Sequence, residues 1–257
     1  MVAEIGVGGQ VDAYIRLNKF ISNAGLCSRR RADELIKAGF IAVDGSVVRT
    51  VGLKIAKDAV VTLLQGGDCK VLKLSKESLR YVLLNKPKGY LTTMQDPRGR
   101  RTVMQLISKR YCRERIYPVG RLDYNTTGLL LLTNDGSLAR QLMHPSSLVP
   151  KLYHAVLNKP ICQEHIEAIR GGLVLEDGLA HVDAIHVVDH DPYQLGVQIH
   201  MGKNRIVHRI FNSLGYKLKQ LDRVGYAHFT KKNIPRGHWI FLDQRQVQLL
   251  KQFVASA

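Results

Sequence analysis

Asp123 is the residue of this 257-residue chain that most invites chemistry. It closes the stretch Gly120-Arg121-Leu122-Asp123, and beyond Tyr124-Asn125-Thr126-Thr127 the chain runs into Gly128-Leu129-Leu130-Leu131-Leu132. An acid at the mouth of so apolar a strand is partly stripped of water, and Arg121 beside it would keep the carboxylate ionised. Such a group can act as a nucleophile or as a base. Asp-Tyr-Asn-Thr is equally good turn chemistry, so the pattern leaves both readings open. A second unusual placement is Arg29, Arg30 and Arg31, which crowd the first turn of an expected helix, where the helix dipole disfavours cations. A phosphate at that helix start gains from the dipole and from the three side chains, which points to a nucleic-acid backbone. The plainer reading is three arginines extended into solvent.

The elements that must position these groups follow from periodicity. Leu17, Phe20, Ile21 and Ala24 share one face of a helix that stops at Gly25. Ser28 caps a second helix through Ala38, with Gly39 as its left-handed stop. A strand over residues 40–43, the turn Asp44-Gly45 and a return strand over 46–48 complete a helix-helix-hairpin module. Residues 65–77 turn polar and basic and read as a linker. Residues 81–84 read as a buried strand, halted by the turn chemistry of Asn85-Lys86-Pro87-Lys88-Gly89. Further strands at 128–133, 153–157, 195–199 and 239–242 are interspersed with helices at 137–143, 163–170, 206–214 and 244–253. This irregular order predicts an α+β sheet rather than a regular βαβ wind. The expected layout is a tail over residues 1–13, a small module over 14–72, a linker over 73–79 and a larger domain over 80–257.

Composition narrows the partner. With 45% hydrophobic and 23% charged residues the chain is an ordinary globular one, and no run reaches the roughly 18 apolar residues of a membrane span. Lys and Arg number 38 against 21 Asp and Glu, a net charge of +17. Such an excess attracts polyanions, nucleic acid foremost, a membrane surface second; the bland alternative is a solvated surface. The charge is also clustered, with 10 basic and 2 acidic residues over 86–121, 9 and 1 over 203–236, and 4 and 9 between them. Folding that joins the two basic segments would create one binding face. Cys27, Cys69, Cys112 and Cys162 form no CxxC pair, which suggests a reducing compartment and neither zinc nor disulfides. Without GxGxxG, GxxxxGK[ST] or HExxH, no nucleotide cofactor or metal is expected, and without a basic-then-apolar start the expected location is the cytoplasm.

The ordered motifs resemble one family. Gly120-Arg121-Leu122-Asp123, with Thr127 to Leu132 and Thr133-Asn134-Asp135-Gly136, looks like the central motif of RsuA/RluB-type pseudouridine synthases, which modify ribosomal RNA. Residues 16–48 are similar to the S4 RNA-binding domain that precedes the catalytic domain there, and residues 81–91 resemble the latter's opening motif. Lys151-Leu152-Tyr153 matches the family's Lys-x-Tyr; Gly202-Lys203-Asn204-Arg205 and Leu221-Asp222-Arg223 match its C-terminal segment. The resemblance implies a mainly antiparallel catalytic sheet and a cofactor-free isomerase that breaks the uridine N1–C1′ bond, turns the uracil and joins C5 to C1′. It implies that Asp123 is the essential residue, by attack or by deprotonation, and that Tyr153 packs on a uracil flipped out of the RNA, with Leu221 as the opposite wall. Alone, Tyr153 and Leu221 read as core residues. The cations expected to hold RNA are Arg29, Arg30, Arg31, Lys86, Arg121, Lys203, Arg205, Arg209 and Arg223. One departure stands out: where relatives carry an arginine that pairs with the carboxylate, this chain has His208, which cannot make the bidentate fork. Either His208 is charged by Asp123, or Arg205 or Arg209 takes over, or turnover is lost and the chain is a noncatalytic assembly factor; by itself His208 is an ordinary helix residue. Ribosomal RNA, that of the large subunit foremost, or a preribosomal particle is the expected partner of a monomer.

Overall fold

The computed structural model describes residues 13–65, 68–72 and 78–255. Its backbone contacts divide the chain into two compact units, Met1–Ser78 and Leu79–Ala257. Residues 1–12 of the expected tail and 73–77 of the expected linker lie outside the described residues.

The small unit runs β1 (Tyr14–Arg16), α1 (Leu17–Asn23), α2 (Arg29–Lys37), β2 (Ile41–Val43), β3 (Ser46–Val47), β4 (Lys54–Ala56), β5 (Val61–Gln65) and β6 (Asp68–Leu72). The Ser28 hydroxyl accepts a hydrogen bond from the Arg31 N–H, capping α2 as its sequence requires. Asp44 and Gly45 both have positive φ, 48° and 83°, as a two-residue hairpin turn demands. Leu17, Phe20 and Ile21 of α1 share a core with Ala32 and Ile36 of α2 and with Ile41, Ile55, Val61 and Leu72. The reading of residues 65–77 as a linker is corrected in part. Asp68–Leu72 is a strand paired antiparallel with β5, and Leu72 earns its place by facing the core while Cys69 and Lys70 face water.

The large unit contains β7 (Tyr81–Lys86), β8 (Tyr117–Pro118), β9 (Thr127–Thr133), α3 (Gly136–Met143), β10 (Lys151–Leu157), α4 (Gln163–Gly171), β11 (Leu173–Leu175), β12 (Gly178–Ala180), β13 (Ala184–Val188), β14 (Asp191–Ile199), α5 (Ile206–Ser213), β15 (Leu218–Tyr226), β16 (Phe229–Thr230), β17 (Trp239–Phe241) and α6 (Gln244–Ala255). Its main sheet has the order β13-β14-β10-β15-β9-β7-β17, antiparallel except between β9 and β15. The fold is the α+β arrangement expected. Period-two alternation sends Val82, Leu84, Leu130 and Leu132 to a core shared with α4 and α5. Tyr81, Leu83, Leu129 and Leu131 go to another, shared with α3 and α6. Burial on both faces explains why β9 is apolar without interruption.

Two details position the site. β7 continues through Asn85 and Lys86 where the sequence reads as a turn, because buried partners satisfy both polar side chains. Gly128, at φ +106°, lies so close to β15 that a Cβ would stand 2.2 Å from the Arg223 carbonyl oxygen. Overpacking against backbone and a strained φ act together there, so Gly128→Ala is expected to lower stability by roughly 3 kcal/mol, read from urea midpoints. An unchanged midpoint would mean that the two strands part without cost.

Candidate active site

Asp123 lies on the loop between β8 and β9, and buried donors fix the backbone of that loop. Thr92 Oγ1 donates to the Leu122 carbonyl at 2.8 Å, and the Lys86 ammonium donates to the carbonyls of Asp123 (3.0 Å), Tyr124 (3.3 Å) and Thr126 (2.8 Å). Lys86 is 0% exposed. Burial is the main cause of its pKa falling to about 8, with Asp123 pulling the other way and Arg236 adding to the fall.

Behind Lys86 stands an ionic hub built on the buried Asp222. Arg236 holds Asp222 with two contacts, Nη1–Oδ1 at 3.0 Å and Nη2–Oδ2 at 2.9 Å, and also donates to Asn85 Oδ1 at 2.6 Å and to the Lys86 carbonyl. Thr127 Oγ1 and Lys231 complete the shell of Asp222. Burial alone would raise that carboxyl, yet Arg236, Lys231 and Thr127 bring it down to about 2. Asn85, Asp222 and Arg236 do not stand out as site residues in the sequence; only their convergence in space reveals them.

The Asp123 side chain itself is 46% exposed. Among the described residues, no hydrogen bond ends on its carboxylate. Two groups at the start of α5 face it: Arg205 Nε at 3.7 Å and His208 Nε2 at 3.9 Å from Oδ2. Burial, seconded by Arg205, holds His208 below the ordinary histidine value against the pull of Asp123. The shift favours the neutral ring, whereas Arg205 is the permanent cation. Arg205 adopts φ 46° at the head of α5, a left-handed conformation uncommon outside glycine. A carboxylate with a structural backbone, no hydrogen-bond partner of its own and a cation just beyond bonding distance is poised for a ligand rather than for the fold.

The chain matches the model of the RNA pseudouridylate synthase family over residues 80–213 and that of the S4 domain over residues 15–61. The chain belongs to the RNA pseudouridylate synthase family. It is thus an isomerase. An uncharacterised RNA pseudouridine synthase of Aquifex aeolicus is 38% identical over 92% of this chain and 94% of its own. The ribosomal large subunit pseudouridine synthase B of Bacillus subtilis is 35% identical over 92% and 95%. That of Vibrio cholerae is 37% identical over 93% of this chain and 75% of its own. A solved pseudouridylate synthase superposes with a TM-score of 0.64 at 25% identity, covering 92% of this chain and 99% of that one.

Within this synthase the expected site residues fall into distinct groups. Tyr153 (8% exposed) and Leu221 lie in the same buried cluster as Leu122 and Val207, the chain neighbours of Asp123 and His208. Arg121 is exposed but makes no ion pair within 4 Å among the described residues, so the cations facing the acid come from α5 instead. Lys86 and Arg223, expected among the RNA-holding cations, are both buried. Lys86 serves carbonyls, and Arg223, 2% exposed, donates from Nε to the Leu129 carbonyl and lies over the Tyr226 ring. Arg209 is gripped by Asp177 through two 2.8 Å contacts, and Lys203 caps the Asp177 and Leu179 carbonyls. In the small unit Arg29 reaches Asn18 Oδ1 at 3.3 Å, Arg31 pairs with Glu34, and Arg30 is exposed. Among the described residues no three His, Cys, Asp or Glu side chains are grouped to hold a metal ion, and no helix is long and apolar enough to cross a membrane.

Proposed function

We propose that this synthase converts a specific uridine of ribosomal RNA, in the large subunit, to pseudouridine, with Asp123 as the essential group. The observation that carries the reading is the exposed, otherwise unbonded Asp123 carboxylate on a backbone fixed by Lys86. The names of the Bacillus and Vibrio relatives support the RNA class. The uridine is flipped from its stack, since the glycosidic bond is out of reach inside structured RNA. Asp123 initiates release of N1 from C1′, the uracil turns, C5 bonds to C1′, and the proton on C5 leaves while N1 takes one up. Tyr153 and Leu221 wall the base. The small module over 14–72 grips RNA through Arg29, Arg30 and Arg31, and a monomer acts in the cytoplasm on free RNA or a preribosomal particle.

Ribosomal RNA carrying tritium at C5 of uridine tests this directly. Release of tritium to water supports the reading, and absence of release from every ribosomal RNA and precursor particle, with tight binding intact, overturns it in favour of an assembly factor. His208→Arg is expected to leave kcat equal or raised by up to about tenfold, because a permanent cation replaces a ring whose neutral form is favoured beside Asp123. Complete loss of turnover in that variant would assign position 208 a different role.

A further inference from the structure

We propose that Tyr124 is a stacking platform for the unpaired base that neighbours the target uridine, an inference that rests on the pseudouridylation reading above. Tyr124 follows Asp123 directly and is 48% exposed. Adjacent Cα atoms are about 3.8 Å apart, so Tyr124 is the direct backbone neighbour of the residue that would hold the uridine. Its backbone is rigid: the carbonyl accepts hydrogen bonds from Lys86 Nζ at 3.3 Å and from the Gly89 N–H at 3.0 Å. Its hydroxyl leans over Gly89, where a Cβ would stand 3.8 Å away in ordinary contact. The ring is therefore presented from a fixed base rather than swinging on a loose loop, which lowers the entropy lost when a ligand orders it.

The surroundings select nucleic acid as the occupant. Arg100, clamped to Asp96 with Nη2–Oδ1 at 2.7 Å and Nε–Oδ2 at 3.0 Å, lies within electrostatic reach of Tyr124. The segment 86–121 that leads up to Tyr124 in the chain holds 10 basic and 2 acidic residues, of which Lys86 is buried. Extruding a uridine strips its neighbour of one stacking face, and an exposed aromatic ring in a cationic setting replaces that face for any base. Tyr111 is more exposed, at 64%, and lies near Arg110, but among the described residues no hydrogen bond links it to the Asp123 loop.

The test compares the wild type with Tyr124→Ala, Tyr124→Phe and Tyr124→Leu on ribosomal RNA transcribed with uridine tritiated at C5. Loss of stacking is expected to raise KM and the RNA Kd of Tyr124→Ala roughly tenfold. Its kcat should move less than about threefold and its melting temperature should stay put. Phenylalanine restores wild-type KM and leucine does not, because stacking needs a π face and not merely apolar bulk. Wild-type KM in Tyr124→Ala, or rescue by leucine equal to that by phenylalanine, overturns the platform. A wild type that releases no tritium fails the pseudouridylation reading itself, whereas a turning-over wild type matched by Tyr124→Ala fails this inference alone.

Discussion

Replacing Asp123 by asparagine is expected to lower single-turnover tritium release by about 10³-fold or more, while RNA affinity stays within about twofold or tightens. The size follows from the role. A carboxylate that initiates cleavage of the glycosidic bond has no substitute in a neutral amide of the same shape. The selectivity for turnover follows from the structure. The hold on residue 123 is through its carbonyl, which accepts from Lys86 Nζ at 3.0 Å and from the Thr126 N–H at 3.1 Å, and asparagine keeps both. The carboxylate makes its closest ionic approaches to Arg205 and His208 at 3.7 and 3.9 Å, so its removal breaks no short contact. Exposed pairs at such distances contribute little to stability, and the melting temperature should hardly move. Affinity tightens if anything, because one negative charge leaves a basic surface. Retained turnover in Asp123→Asn would remove this residue from the chemistry. Lost turnover with a collapsed melting temperature would mean that the carboxylate serves the fold.

What could be read in the sequence depended on whether a residue's role is local. Ser28, Gly39 and Asp44-Gly45 act within a few residues, and the helix and hairpin they delimit stand where their chemistry requires. Four consecutive leucines announce β9 because both faces of that strand are buried. β15 was not visible, since Lys219, Gln220, Asp222 and Arg223 break its apolar pattern. Asp222 is tolerated there because Arg236, Lys231 and Thr127 surround it, and Arg223 is held by the Leu129 carbonyl and the Tyr226 ring, with its Nη2 left without a partner among the described residues. Such partners come from distant segments and leave no mark on periodicity. The site shows the same division. Asp123 stands out by its neighbours, with turn chemistry as the other reading, and Arg205 and His208 enter only through the resemblance of their motif to that of the family. Which of the two carries charge is decided by burial and by their mutual repulsion, and these exist only in the fold.

Lys86 is the sharpest instance, and Lys86→Met follows from it. The sequence assigns this lysine to the RNA, whereas the structure directs its ammonium to the carbonyls of Asp123, Tyr124 and Thr126. Methionine nearly preserves length and apolar stem but offers these carbonyls nothing, so the loop shifts. A displacement on the order of 1 Å at a catalytic group costs about 10²-fold in rate. The expected result is a kcat lowered roughly 10²-fold with RNA Kd within about twofold; the reverse split, intact kcat and weakened binding, would return Lys86 to the RNA. The pH dependence separates this role from simple unfolding. The folded-state pKa of Lys86 is about 8 against its ordinary 10.5, and Lys151, half-buried and near Arg223, is likewise at about 8. Between those values the unfolded chain binds more protons than the folded one, so through these two lysines stability rises with pH. Turnover runs the other way, because above about pH 8 the Lys86 amine loses the charge and one of the three protons that it divides among the carbonyls of Asp123, Tyr124, Thr126 and Pro87. From pH 8 to 10, kcat is therefore expected to fall, and Lys86→Met should lack that alkaline limb; buried Cys112, Tyr81 and Tyr226, whose pKa values burial raises, pull stability the other way from the two lysines over this range. An alkaline limb that persists in Lys86→Met would mean that Lys86 does not set the position of Asp123.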